Sequence, residues 1–331
     1  MIKYTPIKIN LWLNVLRKRE DGFHDLETLF LESGRFHDTL EIVTGDDYSR
    51  TMASLAARYG DRGGICDGDI PALAQGISEN GKLMITVARA EGVDWDVRKD
   101  LCAKAYALLD NDFKLPPAKI FLEKNSPVGA GLGGGSADAA YTLTMLNDIC
   151  SLGLSTEQLA GYAARLGSDC AFFIFGRPMF GEGRGEVLTT FELAVDIVDA
   201  GGAACSGSRT GSSDGGNDSS GTGTARPCTR EHPEKDRPQY ELQIVIPEGI
   251  SVSTAEAYRG ITPAIPEMRL KDVLARPVSE WKDLLVNDFE ATVFKAHPEL
   301  AAIKQSLYDS GAVYASMSGS GSALFALYER Q

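Results

Sequence analysis

The stretch PVGAGLGGGSADAA, residues 127–140, places five glycines (Gly129, Gly131, Gly133, Gly134 and Gly135) in nine positions and then runs into a row of small residues. Glycine reaches such density where the backbone needs positive φ or must approach a ligand more closely than a Cβ allows. Ser136 and Asp138 suit a helix start, and Ala137, Ala139 and Ala140 propagate a helix to about Cys150. Unpaired amides at that start, backed by the helix dipole, form an anion site, and phosphate is the natural guest. Taken alone, the same loop also fits a turn that only packs a helix against a sheet.

Two other phosphate motifs fail here. A Walker loop needs GxxxxGK[ST], and no lysine follows these glycines. Gly129, Gly131 and Gly134 spell GxGxxG, but a dinucleotide fold requires a second strand ending in an acidic residue about 20 residues on. The chain continues instead through SLGLS into STEQLAGYAARLG, whose Leu159, Tyr162, Ala163 and Leu166 recur at helical spacing behind a Ser155 N-cap. Strand, glycine loop, helix, helix is a different architecture.

The chain has 331 residues, enough for two domains, and 43% apolar residues to give each a core. Thirty-three basic against 46 acidic residues leave a net charge of −13, which argues against nucleic acid or an anionic membrane as partner. An anionic ligand must therefore be gripped locally. The six cysteines form no CxxC pair and the four histidines do not cluster near them, so neither a zinc site nor a disulfide framework is expected. With no signal peptide and no 18-residue apolar run, the expectation is a cytoplasmic protein of small-molecule partners, its oligomeric state unspecified.

Residues 201–227 are almost free of large apolar side chains and read as part of a disordered insertion spanning about 199–237, between strand-like FELAVDIV (191–198) and YELQIVIP (240–247). A polar stretch at about 46–80 is a candidate second insertion. At the N-terminus, Ile7, Ile9, Leu11, Leu13 and Val15 alternate with Lys8, Asn10, Trp12 and Asn14, which reads as a strand. Asp21-Gly22 pivots it into an antiparallel partner, with Phe23 and His24 at the hairpin mouth. Periodicity alone makes Lys8 a solvated lysine on an edge strand and His24 a structural residue. Asp169, after RLG, stands where helix caps stand. A second glycine loop, Ser318-Gly319-Ser320-Gly321-Ser322, lies between two apolar runs and reads either as a flexible hairpin or as a second approach to the same polyanion.

KINLWLN near the start, PVGAGLGGGSADAA in the middle and SGSGSALFAL at the end resemble, in this order, the three motifs of the GHMP kinase superfamily. IKINLWLNVLRKREDGFHDLETLF, LGSDCAFF, GRGEVL and GISVSTAEAY further resemble the branch that uses ATP to phosphorylate the 2-hydroxyl of a cytidylyl sugar alcohol in isoprenoid precursor synthesis. The resemblance implies a two-domain α+β fold, 1–175 and 176–331, with the active site in the cleft between them. It implies that Pro127, Val128, Gly129, Ala130, Gly131, Leu132, Gly133, Gly134, Gly135 and Ser136 wrap the phosphates of ATP. Mg²⁺ accompanies the nucleotide, with Ser136 a candidate ligand.

Lys8 and Asp169 are the implied catalytic pair, Asp169 as base or orienter of the attacking hydroxyl. Asn10 is the implied contact to the acceptor, and Gly319 and Gly321 give close backbone approach. Phe23 and His24 are implied to recognise cytosine, with Tyr258 on the ring's other face and Thr254 nearby. The family often has tyrosine at position 23 and phenylalanine at 258, so the ring faces persist while the hydroxyl moves. Two other readings stay open: a GHMP kinase for another small alcohol, and a catalytically silent nucleotide-binding protein.

Overall fold

The computed structural model describes residues 1–45, 58, 70–200 and 237–330. The expected disordered segment at 201–227 and most of the 46–80 stretch lie outside these residues. Residues 73–77, the end of that stretch, are strand β3 (Leu73–Ile77) of the larger sheet, so the insertion expected there reaches too far.

Seven strands form the larger sheet, in the order β3-β4-β5-β2-β6-β7 with β1 beside β2. Its axis is β2 (His24–Thr44), which pairs along one edge with β1 (Ile2–Lys18). On its other edge, the first part of β2 pairs with β6 (Met179–Gly183) and the last part with β5 (Ala118–Lys124). The hairpin joining β1 and β2 turns where Asp21-Gly22 placed it, Gly22 taking φ 86°. Strands β4 (Leu83–Arg89) and β5 run parallel, with helix α1 (Leu101–Phe113) between them in the chain.

A smaller sheet, in the order β10-β11-β9-β8, contains β8 (Asp196–Asp199), β9 (Gln239–Val245), β10 (Tyr314–Met317) and β11 (Leu324–Glu329). The strands flanking the 200–238 connection are neighbours, as expected, and run parallel. Both β6 and β7 (Val187–Thr190) lie beyond residue 175 yet belong to the first sheet. The division at 175/176 thus cuts through that sheet.

The alternation of β1 breaks where the sequence gives no warning. Asn10 pairs with Phe30 and Leu13 with Thr28, so Leu11 and Trp12 together oppose Leu29 in a bulge. The extra residue resets the phase. Ile7, Ile9, Leu11 and Trp12 join one core with Leu242, Tyr314 and Phe325 of the smaller sheet, whereas Leu13 turns to a second core beside Leu26 and Phe289. Each fully buried aliphatic side chain there contributes about 1.5–3 kcal/mol. Trp12, left without a role by the sequence, is buried packing material.

Helix α2 (Gly134–Ile149) sinks Ala139, Leu143 and Leu146 into a third core against α1, β4 and β5. Helix α3 (Thr156–Ala164) begins at the expected Ser155, which forms a reciprocal capping box with Gln158.

Candidate active site

The glycine loop feeds α2 directly from β5. Its N-cap is Gly133 in the left-handed conformation, φ 69°, with no side-chain cap. The helix therefore starts at Gly134 and the expected cap residues do other work. Ser136 lies in the first turn and lines a cavity. Asp138 is buried and accepts hydrogen bonds from Thr5 and Lys124. The first amides of α2 have no partner within the helix and carry the positive end of its dipole.

The second glycine loop is no flexible hairpin. Ser318 and Ser322 are buried, and the loop packs against the first: Ala323 N–H donates to the Ala130 carbonyl at 3.1 Å and Ser318 Oγ to the Gly131 carbonyl at 3.1 Å. A Cβ on Gly131 would lie 2.3 Å from the Ser318 carbonyl oxygen, and one on Gly319 3.2 Å from Asn10 Oδ1. Glycine at these positions lets two main chains touch.

Lys8 is enclosed by that contact. Its strand lies at the sheet margin, yet the residue is only 3% exposed, which corrects the solvated edge lysine that periodicity suggested. Its Nζ donates to the Gly131 carbonyl at 2.9 Å and to Asn10 Oδ1, and lies 3.2 Å from Asp169 Oδ2. Asp169 does sit before a helix, α4 (Cys170–Phe175), but caps nothing. Its carboxylate faces Lys8 instead, with Ser168 Oγ donating to it at 3.3 Å.

Both residues line a cavity of about 300 Å³ between β1 and β2 of the larger sheet and the loop joining β10 to β11, together with Asn10, Thr28, Gly131, Gly133, Ser136, Thr254, Tyr258 and Gly319. Asn10 is oriented within it, giving its Nδ2 proton to Thr28 Oγ1 at 2.8 Å. Thr254 pairs with Ser320 of the second glycine loop, Oγ to Oγ 3.1 Å. Burial, and after it the charge of Asp169, push the Tyr258 phenol up to about 12, so it stays neutral near pH 7.

The remaining expected residues lie beside this cavity. His24 stacks face to face on Tyr258, centroids 4.9 Å apart. A base sandwiched between those two rings would have to part them. Phe23 is 53% exposed and lies under the Arg184 guanidinium, 4.9 Å from its ring centroid. Pro127, Val128, Gly129 and Ala130 line a neighbouring depression of about 670 Å³ with residues 246–251. Leu132 is buried and accepts the Lys8 amide, Gly134 packs on Ser126, Gly135 faces Leu101, and Gly321 meets Gly131 and Met317.

Two supporting clusters escaped the sequence reading. Behind the first glycine loop, Lys124 is buried between Asp38 and Asp138, and Asp38 also accepts the amides of Asn125 and Ser126 at 2.6 Å each. Burial alone would lower the Lys124 ammonium, but the two carboxylates more than reverse that and hold it raised. Burial raises Asp138 against the pull of Lys124. Behind the second loop, fully buried Asn287 donates to the carbonyls of Met317 at 2.7 Å and Gly319 at 2.8 Å. Nearby Glu290, paired with Lys304, accepts the Met317 amide at 2.8 Å. The only sequence signal was a polar NDFE run inside an apolar stretch.

Two facing glycine loops, one entering the helix after β5 and one joining two strands of the smaller sheet, over a lysine–aspartate pair define a GHMP-type kinase. The GHMP kinases N terminal domain matches residues 100–177 and the GHMP kinases C terminal domain residues 270–331. A 4-diphosphocytidyl-2-C-methyl-D-erythritol kinase of Bacteroides thetaiotaomicron is 37% identical over 99% of this chain and 92% of its own. The same-named enzyme of Parabacteroides distasonis is 36% identical over 100% and 92%. A crystal structure of 4-(cytidine 5'-diphospho)-2C-methyl-D-erythritol kinase matches at TM-score 0.63 and 25% identity, over 99% of this chain and 90% of that one. A homoserine kinase from Cytophaga hutchinsonii, TM-score 0.53 at 14% identity, shares the fold. The chain belongs to the 4-diphosphocytidyl-2-C-methyl-D-erythritol kinase family of the GHMP kinases. Among the described residues no helix is long and apolar enough to cross a membrane.

Proposed function

We propose that the chain transfers the γ-phosphoryl group of ATP to the 2-hydroxyl of 4-diphosphocytidyl-2-C-methyl-D-erythritol, as a cytoplasmic enzyme of isoprenoid precursor synthesis. The observation that carries the mechanism is the Lys8–Asp169 pair, 3.2 Å apart, in a cavity that the glycine loop also lines. The depression lined by residues 124–130 and 246–251 suits the nucleoside of ATP. Its phosphates then cross the amides of residues 129–136, so that the terminal one enters the cavity of Lys8 and Asp169.

Asp169, 30% exposed at its side chain, accepts a hydrogen bond from the attacking hydroxyl and aims it at phosphorus. Lys8, 3.2 Å from the Asp169 carboxylate, adds positive charge where the transferring phosphoryl oxygens gather theirs. Because such transfers pass through a loose transition state, aiming and electrostatics outweigh the timing of proton removal. Asn10, held by Lys8 and Thr28, orients the acceptor, while His24, Tyr258 and Phe23 supply the aromatic surface for its base.

Among the described residues no group of three or more His, Cys, Asp and Glu could hold a metal ion. Oxygen donors do line the cavity, the Ser136 hydroxyl and the Asp169 carboxylate, and they fit Mg²⁺ arriving on the phosphates. That ion supplies charge neutralisation at the β- and γ-oxygens.

Incubation with ATP and the cytidylyl substrate, followed by mass analysis, should give a product heavier by one phosphoryl group, with its new phosphorus signal coupled to the 2-position. Transfer to homoserine or mevalonate in preference, or ATP binding with no transfer, would overturn the proposal.

A further inference from the structure

We propose that Arg184 grips the diphosphate of the acceptor, an inference that rests on the cytidylyl reading and adds to it the source of phosphate recognition. An acceptor of that class brings negative charge to a chain of net charge −13, so a cation must stand where its phosphates lie. Among the described residues lining the cavity, the cationic side chains are Lys8 and Arg184. Lys8 is committed. An ammonium has three protons to donate, and its Nζ faces the Gly131 carbonyl, Asn10 Oδ1 and Asp169 Oδ2.

Arg184 is set up differently. It sits on the turn between β6 and β7, flanked by Gly183 at φ 68° and Gly185 at φ 101°. Its amide donates to Glu186 Oε2 at 2.6 Å, and its Nε lies 3.4 Å from Glu186 Oε1. Among the described residues no hydrogen bond engages its two terminal nitrogens. The guanidinium covers one face of the Phe23 ring, so it stands between the aromatic residues assigned to the base and the cavity assigned to the hydroxyl. The diphosphate of a cytidylyl alcohol has to span that interval. A planar fork with two unspent terminal nitrogens matches phosphate oxygens, and Glu186 holds the Nε edge so that the other edge is left for the ligand.

The test compares cytidine with CDP, which differ only by the phosphates, using calorimetric titration of the full chain and of R184Q and R184K. The parent should bind CDP at least about tenfold more tightly than cytidine, the equivalent of one charge-assisted contact. R184Q should lose that preference while holding its cytidine affinity within about twofold, and R184K should recover part of it as a point charge. In turnover, R184Q should raise KM for the acceptor about tenfold and leave KM for ATP unchanged. Retention of the CDP preference by R184Q, or an equal rise in both KM values, would overturn the role of Arg184. A parent protein that binds neither CDP nor cytidine would be a different failure, that of the cytidylyl reading itself.

Discussion

Gly129 and Gly131 offer a controlled experiment within one loop. Both adopt left-handed backbone, φ 74° and 78°, so replacing either with alanine costs about 1 kcal/mol of backbone strain. Their surroundings differ. A Cβ at Gly131 would meet the Ser318 carbonyl oxygen at 2.3 Å, where real Cβ atoms stay beyond 3.0 Å, a violation of 3.0 − 2.3 = 0.7 Å against main chain that Asn287 pins from behind. Relief requires the two loops to part, and overpacking of this kind adds about 1–3 kcal/mol. At about 2–4 °C per kcal/mol, Gly131→Ala should lower the melting temperature by roughly 5–15 °C.

A Cβ at Gly129 meets nothing within 4 Å. The protein should tolerate Gly129→Ala with a shift of only a few degrees. The space that methyl enters is the space assigned to the phosphates of ATP, so KM for ATP should rise about tenfold or more, equivalent to at least 1.4 kcal/mol of lost binding. Differential scanning fluorimetry and initial-rate kinetics separate the two effects. Equal melting shifts for the two variants would refute the clash argument, and an unchanged KM for ATP in Gly129→Ala would refute the placement of the phosphates.

Asp169→Asn should cut kcat by about 10²–10⁴ with little thermal change, since the side chain is partly exposed and caps no helix; near-parental turnover would remove it from the mechanism. Lys8→Met should lose turnover and also about 1–3 kcal/mol of stability, because Asn10 and the Gly131 carbonyl lose a buried donor; unchanged stability in urea titration would contradict that burial. Asn287→Ala leaves two loop carbonyls unpaired and should destabilise by about 2–4 kcal/mol while lowering kcat, measured by unfolding and by rate; a stable, fully active variant would show the second loop needs no cradle. Burial holds Asp138 above its ordinary 3.8, so the stability its protonated form contributes is present below that value and lost as pH rises towards about 7. Asp138→Asn stays neutral throughout, and its melting temperature relative to the parent should climb between about pH 4 and about pH 7; a pH-independent difference would refute the direction.

What the sequence revealed was whatever local chemistry forces. Glycines at 129, 131 and 133 all take positive φ, a requirement no other residue meets cheaply. Ser155 with Gln158 makes a capping box within four residues, and Asp21-Gly22 can hardly avoid turning. Structure assembled from distant residues stayed hidden. Lys124 meets Asp38 across 86 positions, and Asn287 reaches Gly319 across 32, with nothing at either end to announce the other. The bulge at Leu11 and Trp12 is carried by ordinary apolar residues, so a simple two-residue period ran through it unmarked. Lys8 shows the same limit: its strand is marginal, but its cover comes from loops more than 120 residues away in the chain.

One strand joins both ends of the site. His24 opens β2 at the aromatic end, and Asp38, further along the same strand, holds the backbone just ahead of the first glycine loop. The strand is thus a ruler between the site proposed for the acceptor base and the glycine loop proposed for the nucleotide, graduated in steps of one residue. Within the stretch 24–33 the ladder to β1 runs up to a break, Ile7 pairing with Ser33 and Pro6 with His37, so removing a single graduation there would turn over the side chains between it and that break. Length in this enzyme is conveyed by hydrogen-bond register, so variation in spacing has room in the loops and at the breaks in the ladder.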